Sequence, residues 1–356
     1  MYFERELLRF ADGREVKNIE DFKIRKKEIL DILARHAFGY LPKDEIKTSI
    51  ETISSDTKCC SGHAILNKIN FVMESKNGTY KIKANYFKQN DDKKHPLILL
   101  LNFRPDAYDM YYPIEEIIDN GFSFISVCYN DISLDDKDAK NNGLESILDE
   151  VEEKAHKYGK ISLWAFAASR MLDAILKLEE IDSSNIAIAG HSRLGKTALW
   201  CGANDERFKF ILSNDSGCMG DALNQIKHGG SETVSSIKTV FPHWFCPYFQ
   251  QYNDEKELPF DQHWLIAAIA PRFVATGASS LDLWADPISE ELAAIGASKA
   301  WELYDLKGYV HGDEQIKINQ CFGGGHIQHH YRDGIHFFGR QDWLYYMSFI
   351  KANLNN

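Results

Sequence analysis

The sequence has no run of the roughly 20 apolar residues a membrane-spanning helix needs. Its most concentrated stretch, Leu97-Ile98-Leu99-Leu100-Leu101, has the length of a strand. It also lacks a basic start followed by an apolar segment: Met1-Tyr2-Phe3-Glu4-Arg5-Glu6 does not read as a signal peptide. Cytoplasmic location is therefore expected, or a secreted or periplasmic one if a leader precedes this sequence. None of the seven cysteines (Cys59, Cys60, Cys128, Cys201, Cys218, Cys246 and Cys321) forms a CxxC pair, and their number is odd. A zinc-ribbon or thioredoxin-like reading is thus disfavoured, and reduced, mostly buried thiols are expected. Basic charge is also short: 41 Lys+Arg stand against 52 Asp+Glu, for a net charge of −11. That balance argues against a general binder of nucleic acid or of an anionic membrane. No internal repeat and no low-complexity linker is present. No Gly-x-Gly-x-x-Gly follows a strand, so a Rossmann-type nucleotide enzyme is disfavoured. Neither a metal nor a cofactor is expected.

What is present is ordinary globular composition, 44% hydrophobic and 26% charged, enough to bury a large core. The 7 Trp, 16 Tyr and 21 Phe suit a core and also a stacking surface for a ring-shaped ligand. The length of 356 residues allows two domains at about 150 residues each, but the pattern along the chain favours one. Residues 18–37 read as a helix, opened by Glu20 and Asp21 and stopped by Gly39 and Pro42. Residues 64–73 and 79–87 alternate as strands around Asn77-Gly78, a hairpin signal. From there short apolar runs alternate with helical stretches: Leu97–Leu101, Phe122–Cys128, Ile186–Ala189, Phe210–Ser213 and Phe273–Thr276, with an amphipathic helix over 161–178. Such alternation predicts an α/β fold with a mainly parallel central sheet, helices on both faces and an N-terminal antiparallel hairpin. A single domain over 1–356 is expected, with a helix and hairpin extension over about 1–90 and an inserted loop region over about 217–262.

The segment that speaks to chemistry is Ile186-Ala187-Ile188-Ala189-Gly190-His191-Ser192-Arg193-Leu194-Gly195-Lys196. An apolar strand runs into Gly-x-Ser-x-Gly and then into a helix-forming run, the context a nucleophile elbow requires. The glycines permit a tight turn that raises Ser192 at the sheet's C-terminal edge, where a helix N-terminus favours developing negative charge. A serine hydroxyl needs a base, and the base an orienting acid. The late histidines are His326, His329, His330 and His336. The first three sit in or at the start of an alternating segment that reads as the last strand. His336 follows in a loop before the helix over 341–353, so it is the candidate base. Two seats exist for the acid. Asp282 lies in the loop after Phe273–Thr276, and Asp215 lies directly after Phe210–Ser213. Both face the same sheet edge, and the pattern does not choose between them. Asp286 reads instead as a cap for a helix over 288–300.

These residues resemble the bacterial glucuronoyl esterases, members of the α/β-hydrolase superfamily. The likeness is carried by Gly190-His191-Ser192-Arg193-Leu194-Gly195-Lys196-Thr197-Ala198-Leu199-Trp200, by Ser213-Asn214-Asp215-Ser216-Gly217-Cys218, by Phe241-Pro242-His243-Trp244-Phe245-Cys246 and by Trp284-Ala285-Asp286-Pro287. The resemblance implies hydrolysis of the ester between xylan-borne glucuronic acid and lignin alcohols, with Ser192 as nucleophile and His336 as base. It implies that Arg193 helps stabilise the oxyanion, that Lys196 hydrogen-bonds sugar hydroxyls, and that Glu232, Trp284 and His243 belong to the substrate site. The implied partner is a glucuronic acid ester of xylan or its oligosaccharides. Asp215 stands where many members carry Glu, and the triad acid of such enzymes occurs at either seat. The segment Lys227-His228-Gly229-Gly230 is longer than the family pattern, and Ile335 and Phe337-Phe338 are bulkier. Two further readings stay open: an acetyl xylan esterase or broader ester hydrolase of the same fold, and a non-catalytic α/β-hydrolase used for binding.

Overall fold

The computed structural model describes residues 5–105, 112–312 and 314–355. They form one ten-stranded sheet: β1 (Lys47–Asp56), β2 (Ala64–Ser75), β3 (Gly78–Gln89), β4 (His95–Asn102), β5 (Ser123–Cys128), β6 (Ile181–His191), β7 (Phe210–Asn214), β8 (Phe273–Ser279), β9 (Gln320–Phe322) and β10 (Ile327–Arg332). Their spatial order is β1-β2-β3-β5-β4-β6-β7-β8-β10-β9. The six strands from β5 to β10 in that order are mutually parallel. Antiparallel strands flank them, β1 to β3 on one side and β9 on the other.

The hairpin expected at Asn77-Gly78 is there, with Ser75 paired to Gly78. So are the five buried runs, four of them extended by one to several residues and the fifth, expected over Phe122–Cys128, starting one residue later at Ser123. The helix expected over 18–37 is an α-helix over Ile19–Leu33 that loosens into a π-turn over Ala34–Phe38. Two strands went unforeseen. β1, Lys-Thr-Ser-Ile-Glu-Thr-Ile-Ser-Ser-Asp, is exposed along almost its whole length, so it carries no hydrophobic alternation. β9 has three residues.

Two cores form because a strand turns successive side chains to opposite faces. In β4, Leu97, Leu99 and Leu101 pack into one core with the helices Lys160–Ile175 and Arg193–Asn204. Ile98 and Leu100 pack into the other, with the helices Ile114–Asp119 and Arg340–Ala352. Each face is thus covered, as a parallel sheet requires. Among the described residues no helix is long and apolar enough to cross a membrane.

This topology aligns the strand ends that matter. His191 pairs in register with Asn214, Asn214 with Gly277, and Gly277 with His330. The C-terminal ends of β6, β7, β8 and β10 therefore stand side by side, and ligand-binding loops of open α/β sheets emerge from that edge.

Candidate active site

Ser192 occupies the turn between β6 and the helix Arg193–Asn204. Its backbone has φ 57° and ψ −127°, a conformation that costs free energy in a non-glycine residue and survives only where surroundings enforce it. The surroundings do so here. The Ser192 N–H donates to the Asn214 carbonyl at 2.8 Å, and the Ser192 carbonyl accepts from Gly195 N–H at 2.9 Å and Lys196 N–H at 3.1 Å. The flanking glycines are dictated by close approach. A Cβ at Gly190 would meet the Leu194 carbonyl oxygen at 2.0 Å, and one at Gly195 would meet Ser216 Cβ at 2.8 Å.

His336 lies in the loop after β10, its side chain 43% exposed. Its Nδ1 lies 2.5 Å from Asp282 Oδ2, and its ring stands 4.4 Å from that of His191, the residue before Ser192. The two loops are laced together: Ser280 N–H donates to the Arg332 carbonyl at 2.9 Å, Leu281 N–H to the Gly334 carbonyl at 2.8 Å, and Ser280 Oγ to Asp333 Oδ1 at 2.7 Å. From below, the Arg332 guanidinium donates to the carbonyls of Asp333, Ile335 and Phe337 while its Nε holds Asp342 at 2.8 Å. Arg332 is thus the anchor of the loop that presents His336, a role no sequence pattern pointed to.

The geometry separates the two acid seats. Asp282 contacts the imidazole. Asp215 is buried beneath it, with Oδ2 accepting from Ser279 Oγ at 2.7 Å, and its Oδ1 is buried without a hydrogen-bond partner. Burial, reinforced by the neighbouring carboxylates of Asp342 and Asp282, pushes the Asp215 carboxyl well above the usual carboxylate range. His191 is buried too and bonds Asn214 Oδ1 through Nδ1 at 2.7 Å. Burial, with the nearby His336, brings its imidazole down to about 3, so it is neutral at any ordinary pH.

Arg193 reaches Asp135. Its Nη1 pairs with Asp135 Oδ2, and its guanidinium lies over the rings of Trp244 at 4.5 Å, Phe241 at 5.3 Å and Phe103 at 5.6 Å. Asp135 also accepts from Trp244 Nε1 at 2.6 Å and from Tyr129 Oη at 3.2 Å, and it lies 2.8 Å from His243 Nε2. Burial alone would raise this carboxyl; His243, Arg193 and Trp244 together outweigh it and hold the group at about 2. His243 is thereby directed at Asp135. Asp135 itself was not among the expected site residues. It sits in the Asp- and Lys-rich stretch 131–158, where a buried carboxylate leaves no periodic signal, and three of its partners come from 58 to 109 positions away.

Lys196 is not a solvated helix residue: it is 4% exposed, and its Nζ donates to the Ser216 carbonyl at 2.5 Å and lies 3.9 Å from Glu232 Oε2. Glu232 is buried as well, and its N–H donates to the Trp284 carbonyl at 2.9 Å. Trp284 is 53% exposed. Lys196, Glu232 and Trp284 therefore form one connected arc between the helix Arg193–Asn204 and the loop after β8. Beneath it, Asp221 accepts from Ser216 Oγ at 2.6 Å and from Gly217 N–H at 3.1 Å, and Glu290 accepts from Gly217 N–H at 2.9 Å. Burial and the charge of Asp221 keep the Glu290 carboxyl protonated well above its ordinary value. Asp286 caps the helix Pro287–Ala297 through Ser289 N–H at 3.2 Å, and also holds His228 at 2.8 Å. His329 and His330 are buried in β10, bonded to Thr276 and Asp342.

Comparison with known proteins places this arrangement. The solved glucuronoyl esterase from Solibacter usitatus superposes with a TM-score of 0.90 at 28% identity, over 99% of this chain and 98% of that one. A solved esterase from a marine bacterial metagenome, described as promiscuous, gives 0.87 at 28% identity, over 99% and 97%. Carbohydrate esterase MZ0003, from an unknown prokaryotic organism, is 39% identical over 68% of this chain and 56% of its own length. The chain thus spans little more than half of that relative. A family model described as "Glucuronyl esterase, fungi" matches residues 69–305, well over half of the sequence, and the chain belongs to the glucuronoyl esterase family.

Proposed function

We propose that the chain is a serine carboxylic ester hydrolase that cleaves glucuronoyl esters, of the kind joining glucuronic acid on xylan or its oligosaccharides to an alcohol. The observation that carries this reading is the strained elbow of Ser192 on the same sheet edge as the His336–Asp282 pair. Ser192 Oγ attacks the ester carbonyl carbon while His336 takes its proton. The tetrahedral intermediate collapses as His336 returns that proton to the leaving alcohol. Water then attacks the acyl-enzyme, giving its proton to His336, and Ser192 departs reprotonated. Asp282 fixes the imidazole's orientation and stabilises its cation. Arg193, held by Asp135 and three rings, sets positive charge next to the nucleophile. A preorganised donor of this sort contributes about 2.7–4 kcal/mol to the transition state. Lys196 and Glu232, with Trp284 as an apolar wall, suit the hydroxyl-rich ring of a uronate; a bare acetyl group needs no such arc.

Ser192→Ala tests the reading. Release of benzyl alcohol from benzyl glucuronate is expected to fall to background while glucuronate still binds; surviving turnover overturns it. The similarity to the metagenomic esterase described as promiscuous favours a broader ester hydrolase as the second reading. Equal rates on acetyl and glucuronoyl esters would select it.

A further inference from the structure

One ring nitrogen of His191, one of His336 and a carboxylate oxygen of Asp215 lie within 4.8 Å of one another. We propose that these three side chains form a reversible inhibitory site for a zinc-class divalent cation.

The donor set selects the class. Two imidazoles and one carboxylate suit zinc, copper or cobalt, whereas calcium and magnesium take oxygen ligands. A cation held at about 2.0–2.2 Å by each ligand needs its donors roughly 3–4 Å apart, so no pair of donors has to close by more than about 2 Å. Two ligands form a fixed base: His191 and Asp215 are buried and tied to Asn214 and Ser279. The third, His336, is exposed at 43%, and it both opens the entry path and supplies the movement. Asp215 Oδ2 lies 3.9 Å from His191 Nδ1, and its Oδ1 is buried without a hydrogen-bond partner. The outer shell is also in place. Asp282 holds His336 and Asn214 holds His191, the kind of partner that orients metal-bound imidazoles. The carboxylate of Asp282 adds negative charge beside the site, with Arg332 Nη2 opposing it 3.6 Å from Asp215.

Occupancy silences the histidine by either nitrogen. A cation on Nε2 takes the lone pair that accepts the serine proton; one on Nδ1 displaces Asp282. The inhibition rests on the proposed ester hydrolysis, whereas the binding does not.

The test titrates zinc alone into the full chain by calorimetry and cobalt by visible absorption. One ion per chain is expected, with a tetrahedral cobalt band. Hydrolysis of benzyl glucuronate is expected to fall tenfold or more at saturating zinc and to return with EDTA. Zinc affinity is expected to drop at least thirtyfold in His191→Gln and in His336→Ala; the latter alters an exposed ring and so reports even if the former misfolds. Absence of binding, or binding unchanged in His336→Ala, overturns the site. Zinc bound here with hydrolysis undiminished overturns the inhibition. If zinc binds as described but the metal-free chain hydrolyses no ester, the site stands and the esterase reading falls.

Discussion

Two histidine–aspartate pairs sit near the end of β10, six residues apart in sequence at their histidines, and they differ in everything but composition. His336 and Asp282 meet at 2.5 Å with the imidazole 43% exposed. His330 and Asp342 meet at 2.9 Å with both side chains fully buried. Asp282 has His336 as its side-chain partner. Asp342 accepts from Arg332, from Asn214 Nδ2 at 3.1 Å and from Gly339 N–H at 2.7 Å as well, and so ties β10 and β7 to the start of the last helix. Burial would raise the Asp342 carboxyl; His330 and Arg332 outweigh it and hold the group below its ordinary value. The base proposed for ester hydrolysis must reach substrate and move a proton, so it cannot be sealed. A structural pair must leave no charge uncompensated, so it must be.

The largest expected effect is on the exposed pair. Asp282→Asn should lower kcat on benzyl glucuronate by about ten-thousand-fold, the scale seen when a triad acid loses its charge, with the denaturation midpoint nearly unchanged. Asp215→Asn should lower it far less; the reverse order would move the triad acid to the buried seat. Substituting the buried pair should do the opposite. Asp342→Asn removes the buried negative charge that Arg332 and His330 share, and urea unfolding should show a loss of about 3–5 kcal/mol, with kcat falling only through the loosened His336 loop. Intact stability in that variant would erase the contrast.

A pH series sharpens the comparison further. The native Asp342 carboxyl lies below its unfolded value of 3.8, so below that pH the unfolded chain binds the extra proton. The stability it contributes is therefore present above pH 3.8 and lost as pH falls beneath it. Thermal melts from pH 5 downward should decline less steeply in Asp342→Asn than in the parent; parallel curves would count against the assignment. The smallest effect belongs to Trp284→Ala. A half-exposed ring contributes on the order of 1 kcal/mol to a stacked contact, so KM should rise by about tenfold or less with kcat and stability held.

The same contrast explains what was legible in the sequence. Ser192 and His336 were legible as candidates because each sits in a loop directly after a buried strand, and hydrophobic runs mark strand ends. Asp282 and Asp215 were both visible for that reason and indistinguishable for the same one, since choosing between them needs the position of a single imidazole. Asp342, Arg332 and Asp135 were not found. Asp342 is the third residue of an amphipathic helix, Arg332 ends a strand, and Asp135 lies in a charge-rich stretch; in each place a charged residue reads as solvent-facing. Their burial depends on partners distant in sequence. Lys196 was singled out by its motif position, which gave no sign that its side chain is buried against the Ser216 carbonyl and Glu232. The strand β1 escaped because its exposed side chains carry no alternation.

The register that sets His191, Asn214, Gly277 and His330 abreast has a consequence for how such a chain can diverge. The four strand ends are spaced by backbone hydrogen bonding alone, at about 4.8 Å per strand, and no loop residue determines that spacing. The region 217–262 packs onto that bench between β7 and β8, with Leu223, Val234 and Phe260 buried in the core. Changes confined to its exposed part, such as Gly229 and Gly230, leave the bench in place, whereas changes at His243 or Trp244 reach Asp135 and through it Arg193.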